Sequence, residues 1–494
     1  MKDGRKLSDK NIHSQNRDIQ AGTMTWSWPW RRSLHVPVII VLEIIILILY
    51  AIFIEFDTEV TQEKFNTTIP LFTDVHVMVF IGIGFILTFL RNYSLSALCI
   101  NLVCGSLAVQ WYILVHGFVH AVFDNHGEGP LLIKVNILSF LFGEFAAATV
   151  LVSFCVLIGK VTILQLVIMV LFEVFFFVLN EYIGRSVYSA FDVGDTIFLH
   201  VFAAYFGLAV SRMLYTSKLP SDEKVSTSKT SNIFSLSGTL FLWVFWPSFM
   251  ASGAIPGAPQ QRALMNTYLA MIGSVMATVV TSSLCNMQGK LSIDHVQNAV
   301  LAGGVAVGAT ADIIIHPYQA ILIGILGGAA SVMGFVFSPT FFNYKIKIHD
   351  SCGVHSLHAI PGLLGGVTSI CLAVTMNKGD FGDDWGELFP AIRDGRSQAG
   401  QAMAQLATIL TTLGIAIIGG AITGFVMKLA GRLQFGSDFV IPATDSFEDS
   451  FYILGEENMA NIIEYSTTVG SVKTQELEGV NNEAFESEDG VEIM

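Results

Sequence analysis

Charge is what this chain of 494 residues has least of: Asp, Glu, Lys and Arg make up 13% of it, about half of the ~25% usual in soluble domains. Length alone would allow roughly three soluble domains, but so little charge excludes the solvated surface they would need. The six cysteines (Cys99, Cys104, Cys155, Cys285, Cys352 and Cys371) include no CxxC pair and lie mostly inside apolar stretches, so they read as buried thiols and not as a metal or redox centre. No GxxxxGK[ST] phosphate loop is present, which removes the usual sign of ATP drive. GxSxG, HExxH and a GxGxxG following a strand are absent as well, so no metal, cofactor or enzymatic chemistry is expected. No cleavable signal peptide is visible either: the first 35 residues are polar and basic, too long for the leader of the apolar run that follows.

What is there instead is apolar. Hydrophobic residues make up 52% of the chain, and Val36–Phe56, Val161–Leu179 and Leu406–Val426 each run about 20 residues with almost no charge, the length a helix needs to cross a bilayer. The pattern predicts an all-α integral membrane protein with about 12 spans, near 36–56, 74–90, 95–118, 132–158, 161–181, 192–215, 232–251, 264–285, 294–311, 313–337, 351–376 and 400–430. The polytopic domain then covers 36–432, between a segment 1–35 and a tail 433–494. With the N-terminus inside, 18 Lys/Arg fall on inner segments and seven on outer ones, so both termini are expected in the cytoplasm and a plasma-membrane, multi-pass placement follows. The formal charge of -14 is concentrated in the tail: Thr444–Met494 holds 13 Asp/Glu against one Lys. Such a tail repels nucleic acid and acidic lipid, and reads as a solvated segment open to a cytoplasmic partner.

Asn66-Thr67-Thr68 is a glycosylation sequon in the first expected outer loop. Outer loops also carry Asp57, Glu59, Asp124, Asp380 and Asp383 among other acids, which would concentrate cations at that face or simply solvate it. Gly304xxxGly308, Gly324xxxGly328 and Gly362xxxGly366 each put two glycines on one helix face, where neighbouring helices can approach closely.

Polar side chains inside a bilayer cost roughly 2.5–3.5 kcal/mol each on insertion, so they mark where to look. Asp192 lies eight residues before His200, and Asp350 lies eight residues before His358. Each Asp opens an apolar span, and each His falls about 12 Å further along, near mid-membrane. With the first and last spans set aside, ten remain and divide into two fives of opposite direction, with His200 and His358 on the last helix of each. That is a five-plus-five inverted repeat around a central pore, with its site near the midplane. Asp192 and Asp350 are suited to cap and hold their helices, as functional anchors or as plain N-caps. Two neutral imidazoles, each with one donor and one acceptor nitrogen, suit a small polar solute of low charge; two ordinary packing histidines are the simpler alternative. A bare cation would face a large desolvation cost that loss of a proton avoids.

Four stretches carry a resemblance: Phe191-Asp192 through His200-Val-Phe-Ala-Ala-Tyr-Phe-Gly-Leu208, Asp350-Ser-Cys-Gly through His358-Ala-Ile-Pro-Gly362, Leu242-Trp-Val-Phe-Trp-Pro-Ser-Phe249, and His295-Val-Gln-Asn-Ala-Val-Leu-Ala-Gly-Gly-Val-Ala306. From about Val36 to Tyr452 the chain resembles the Rh glycoproteins of the ammonium transporter/Rh superfamily. The resemblance implies a homotrimer of 12-span subunits, each with a pore for ammonia or ammonium; the sequence leaves carbon dioxide and methylammonium open as further solutes. It implies that His200 and His358 line that pore, that Phe145 and Phe249 are a stacked pair gating its outer entrance, and that Glu181 and Asp192 are outer acids with Asp350 the inner equivalent. It also implies deprotonation of ammonium at the outer vestibule. Three positions depart from the family pattern: Asp195 replaces a small residue, Met250 replaces an Asn, and Glu144 replaces an Asp. Two other readings remain: a scaffold that anchors partners through its acidic tail, and a haem protein with histidine axial ligands.

Overall fold

The computed structural model describes residues 34–124, 132–215 and 226–435. The N-terminal segment through residue 33 and the acidic tail from residue 436 lie outside the described residues, as does Glu128 of the outer loops.

The architecture is a helical bundle. In chain order its main helices are α1 (His35–Phe53), α2 (Gln62–Val77), α3 (Ser94–Phe123), α4 (Ile137–Leu157), α5 (Ile163–Tyr182), α6 (Phe202–Leu214), α7 (Lys229–Ala251), α8 (Ala258–Leu284), α9 (Ile293–Asn298), α10 (Ala302–Val307), α11 (Pro317–Phe341), α12 (Ile360–Thr375) and α13 (Gln398–Phe435). Among the described residues, eleven helices are long and apolar enough to cross a membrane. Capping boxes set several starts: Asn136 with Ser139 opens α4, Thr162 with Gln165 opens α5, and Ser228 with Ser231 opens α7. The only sheet among the described residues is a parallel pair, β1 (Ile54–Phe56) with β2 (Ile133–Val135), at the end of α1. Asn136 donates from Nδ2 to Asp57 at 3.0 Å and ties this pair to the start of α4.

Two expectations need correction. The span expected at 294–311 is not one helix: α9 and α10 are short and separated by a turn, and a 3-10 turn follows at Gly308–Thr310. Gly303, Gly304 and Gly308 weaken the helix, and neighbouring side chains satisfy its freed carbonyls. Thr239 donates to the carbonyl of Gln297 at 2.8 Å, Ser274 to that of Ala299 at 2.7 Å, Thr196 to that of Val305 at 2.8 Å, and Asn266 to those of Ala311 and Ile314 at 2.8 Å each. The sequon at Asn66 is also not in a loop. Helix α2 starts at Gln62, and Asn66 is exposed on its surface, accepting from Gln62 Nε2 at 2.9 Å. Polar residues in its first turns had hidden that helix from a reading based on apolar runs.

Close approach of helices follows the glycines. A Cβ on Gly324 of α11 would lie 1.9 Å from the carbonyl oxygen of Ala270 on α8, and one on Gly328 would lie 2.7 Å from that of Ser274. On the far side of the bundle, Gln165 of α5 donates to the carbonyl of Met427 on α13 at 2.9 Å, and Gln405 of α13 donates to that of Phe191 at 2.8 Å. The buried core is mostly Phe, Leu, Val and Ala from α3 to α6. The outward faces of α1, α7 and α8 expose Ile, Leu, Val and Met instead, the inverse of a soluble surface.

The two halves end in the same local structure. Asp192 is followed three residues later by Asp195 at φ +52°, and Asp350 three residues later by Gly353 at φ +72°. A π-helical turn then begins each helix, Thr196–Val201 before α6 and His355–Ala359 before α12.

Candidate functional site

Those two turns deliver the histidines. Asp192, buried, accepts from the backbone amides of Thr196 (2.8 Å), Ile197 (2.7 Å) and Phe198 (3.0 Å). Asp350 accepts from the amides of Val354 (3.0 Å) and His355 (2.9 Å). Each carboxylate thus holds the first turn of its helix at a point where free amides and the helix dipole favour negative charge. From these anchored turns His200 and His358 project toward one another, Nδ1 to Nδ1 at 3.1 Å, with ring centroids 5.1 Å apart and planes inclined by 22°. Both rings are buried. One Nδ1 must therefore carry the hydrogen and the other accept it. If both rings are neutral, their outer Nε2 atoms are then opposite in kind, one an acceptor and one a donor. Nε2 of His200 has no protein partner.

A cavity of about 390 Å³ runs from these rings toward Asp350, Asp294 and Asn298, with Trp246 and Phe249 on its wall. Trp246 stacks on His200 at 5.6 Å. Across the bundle a second cavity of about 410 Å³ is lined by Tyr112, His116, His120, Glu181 and Arg185. On the orientation the charge count implies, the first faces the cytoplasm and the second the outside. Phe145 and Phe249, both fully buried, meet between them at 4.5 Å between centroids. Their planes are inclined by 56°, so the pair is tilted and not the stack expected.

The outer acids are not free. Arg185, one helical turn beyond Glu181, binds it from Nε at 3.1 Å, and Tyr112 donates to the other oxygen at 3.4 Å. The same guanidinium pairs with Asp195, donates to the carbonyl of Asp192 at 3.3 Å, and lies 4.7 Å from the Phe198 ring centroid. Asp195 is therefore a buried partner of Arg185 and not an added vestibule charge. Glu144, next to Phe145 in the chain, is buried and paired with Nδ1 of His76 at 2.5 Å. Met250 fills space left by two glycines, its sulfur 2.2 Å from where a Cβ on Gly194 would sit.

Sequence reasoning marked His116 as a polar residue within a span, but overlooked Arg185, which it counted only as a loop charge, and also Trp246, Tyr112 and His120. The pair Glu181 and Arg185 at a spacing of four could have been found. On the inner side, Lys160 donates to the carbonyls of Val156 and His349 at 2.8 Å each. Burial draws its ammonium down to about 7, against a partial opposing pull from Asp350.

Comparison with known proteins decides the family. A sequence profile of the Ammonium Transporter Family matches residues 38–438. The chain belongs to the ammonium transporter family. Its relatives place it on the Rh-type branch: it is 38% identical over 428 residues to ammonium transporter Rh type B-B of Xenopus laevis, covering 83% of this chain and 90% of the relative. It is 37% identical over 430 residues to ammonium transporter Rh type A of Bos taurus, covering 84% and 93%. Among solved structures it matches Nitrosomonas europaea Rh50, described with the mechanism of conduction by the Rhesus protein family of channels, at 32% identity and a TM-score of 0.66, over 85% of this chain and all of the other. Saccharomyces cerevisiae Mep2 shares the fold, with a TM-score of 0.59 at 18% identity over 78% of this chain and 92% of the other. These family members are transporters and channels and not enzymes.

Proposed function

We propose that this family member is a channel-like facilitator of ammonia. Ammonium enters the outer vestibule and gives up its proton, and ammonia passes the Phe145–Phe249 pair and then His200 and His358 into the inner cavity. The observation that carries this reading is the 3.1 Å contact between His200 and His358 in the wall of a cavity that Phe249, packed on Phe145, also lines. A hydrated cation has no ligand set along the buried, largely apolar wall to replace its water. A small neutral molecule needs one donor and one acceptor at a time, which the coupled imidazoles offer through their Nε2 atoms.

Asp192 and Asp350 act as anchors in this reading, setting ring position through backbone amides and not touching the solute. Glu181, held by Arg185, tempers the charge of the outer vestibule. The chain works as a trimer in the plasma membrane with both termini cytoplasmic and with Asn66 on the outer face. Methylammonium and carbon dioxide are further solutes to assay.

The test is reconstitution in liposomes with stopped-flow recording of internal pH after an inward ammonium gradient. Wild type should alkalinise the lumen faster than empty liposomes, and the His200→Ala/His358→Ala variant should lose most of the difference. Wild type no faster than empty liposomes would overturn the reading.

A further inference from the structure

The outer cavity has a wall that the pathway above leaves unused. Four titratable side chains stand at intervals of four residues, Tyr112, His116 and His120 on α3 and Asp124 as its C-cap. That spacing keeps successive groups on nearly one face and about 6 Å apart along the axis. They touch in sequence. The rings of Tyr112 and His116 lie 5.1 Å apart and those of His116 and His120 4.3 Å apart, and Nδ1 of His120 lies 2.7 Å from an oxygen of Asp124. Tyr182 donates to the other Asp124 oxygen at 2.9 Å. At the lower end the Tyr112 hydroxyl reaches Glu181. The series thus begins at a buried acid near the phenylalanine gate and ends at an exposed carboxylate on the outer rim.

Both imidazoles line the cavity, so a solute or water within it meets them directly. Facing them are Lys134 from β2, and Glu181, Tyr182 and Arg185 from the α5 side. Glu181 and Asp195 are engaged by Arg185, and the Asp192 carboxylate by three backbone amides. Among the described residues of this wall, the His116 ring carries no hydrogen bond to the protein, while His120 is oriented by Asp124 and keeps Nε2 open. The hydrogen bond from His120 holds the Asp124 carboxyl below the usual carboxylate range, so this end of the series stays anionic.

We propose that His116 and His120 are the proton acceptors of the outer vestibule, passing the proton that ammonium releases outward to Asp124 and the external solution. An N–H bond of ammonium breaks, its electron pair stays on the nitrogen of ammonia, and a new N–H bond forms on an imidazole nitrogen. The imidazolium then yields its proton outward, so the positive charge never passes the gate. This inference rests on the ammonia reading above.

The experiment is the liposome assay with external pH varied at fixed external ammonia, comparing wild type with His116→Gln/His120→Gln and with Asp124→Asn. Near pH 6, where ammonium far exceeds ammonia, the double variant should fall about tenfold, less than the full 10²–10⁴ of a general base because water remains as an acceptor. Near pH 9, where ammonia enters directly, it should match wild type. Asp124→Asn removes the carboxylate at the outer end of the series, and should slow flux near pH 6 while leaving it unchanged near pH 9. A double variant with the wild-type profile, or one equally slowed at every pH, would overturn the proposal. A wild type without flux would instead overturn the ammonia reading.

Discussion

His200 and His358 face each other through the same ring atom, Nδ1 to Nδ1 at 3.1 Å. Because only one of those atoms can carry the shared hydrogen, the state of one ring fixes that of the other, and the two act as a unit. Residues that act as a unit are strongly non-additive. His200→Ala and His358→Ala should each slow flux nearly as much as the double replacement, with a coupling of about 0.5–3 kcal/mol in a double-mutant cycle on initial rates. Additive losses would mean independent rings.

Arg185 joins Glu181 to the buried Asp195. Arg185→Ala leaves Asp195 unpaired. Removing one partner of a buried pair costs about 3–5 kcal/mol, which the one-third exposure of Arg185 reduces to about 1–3 kcal/mol. Asp195→Gly should cost less, because it relieves a left-handed backbone and leaves Arg185 its bond to Glu181. Melting in detergent should rank Arg185→Ala below Asp195→Gly, and the double variant above Arg185→Ala alone.

Asp192 satisfies three amides and Asp350 two. Each buried donor left unpaired costs about 1–3 kcal/mol, so Asp192→Ala should destabilise more than Asp350→Ala. Hydrogen exchange should accelerate at the amides of Thr196 to Phe198 in the first variant and of Val354 and His355 in the second.

Lys160 has a folded pKa near 7 against 10.5 for the free group. Between about pH 7 and 10.5 the unfolded chain binds more protons than the folded one, so this residue makes stability rise with pH across that window and contributes no slope below it. Lys160→Met should flatten the rise in apparent melting temperature between about pH 7 and 9, measured in one detergent at constant ionic strength.

Gly324→Ala forces a Cβ against the backbone of Ala270, whereas a Cβ on Gly414 in α13 meets nothing within 4 Å. The first should lower the melting temperature sharply. The second should be neutral or stabilising by up to about 1 kcal/mol, as expected for alanine in place of helical glycine.

Much of this was legible in the chain, and the exceptions have physical causes. Apolar runs reveal spans because hydrocarbon demands about 20 apolar residues, and the eight-residue interval from Asp to His repeats because both halves need the same capped turn. The break between α9 and α10 was hidden because its carbonyls are satisfied by Thr239, Ser274, Thr196 and Asn266, up to 109 residues away in sequence. The pairing of His76 with Glu144 spans 68 residues and leaves no local signature. Glu181 was legible only as an acid of the outer side, although Arg185, which binds it, lies only one turn further along.

In the matching turns before α6 and α12 the left-handed position is held by different residues, Asp195 in the first and Gly353 in the second. Glycine asks nothing of its surroundings there. Aspartate brings a buried charge that Arg185 neutralises, and Arg185 keeps Glu181 if the aspartate is lost. A Cβ on Gly353 would lie 2.2 Å from the Phe335 ring. The first half of this transporter can therefore lose its aspartate before its arginine but not after, while the second is held to glycine by backbone and neighbour together.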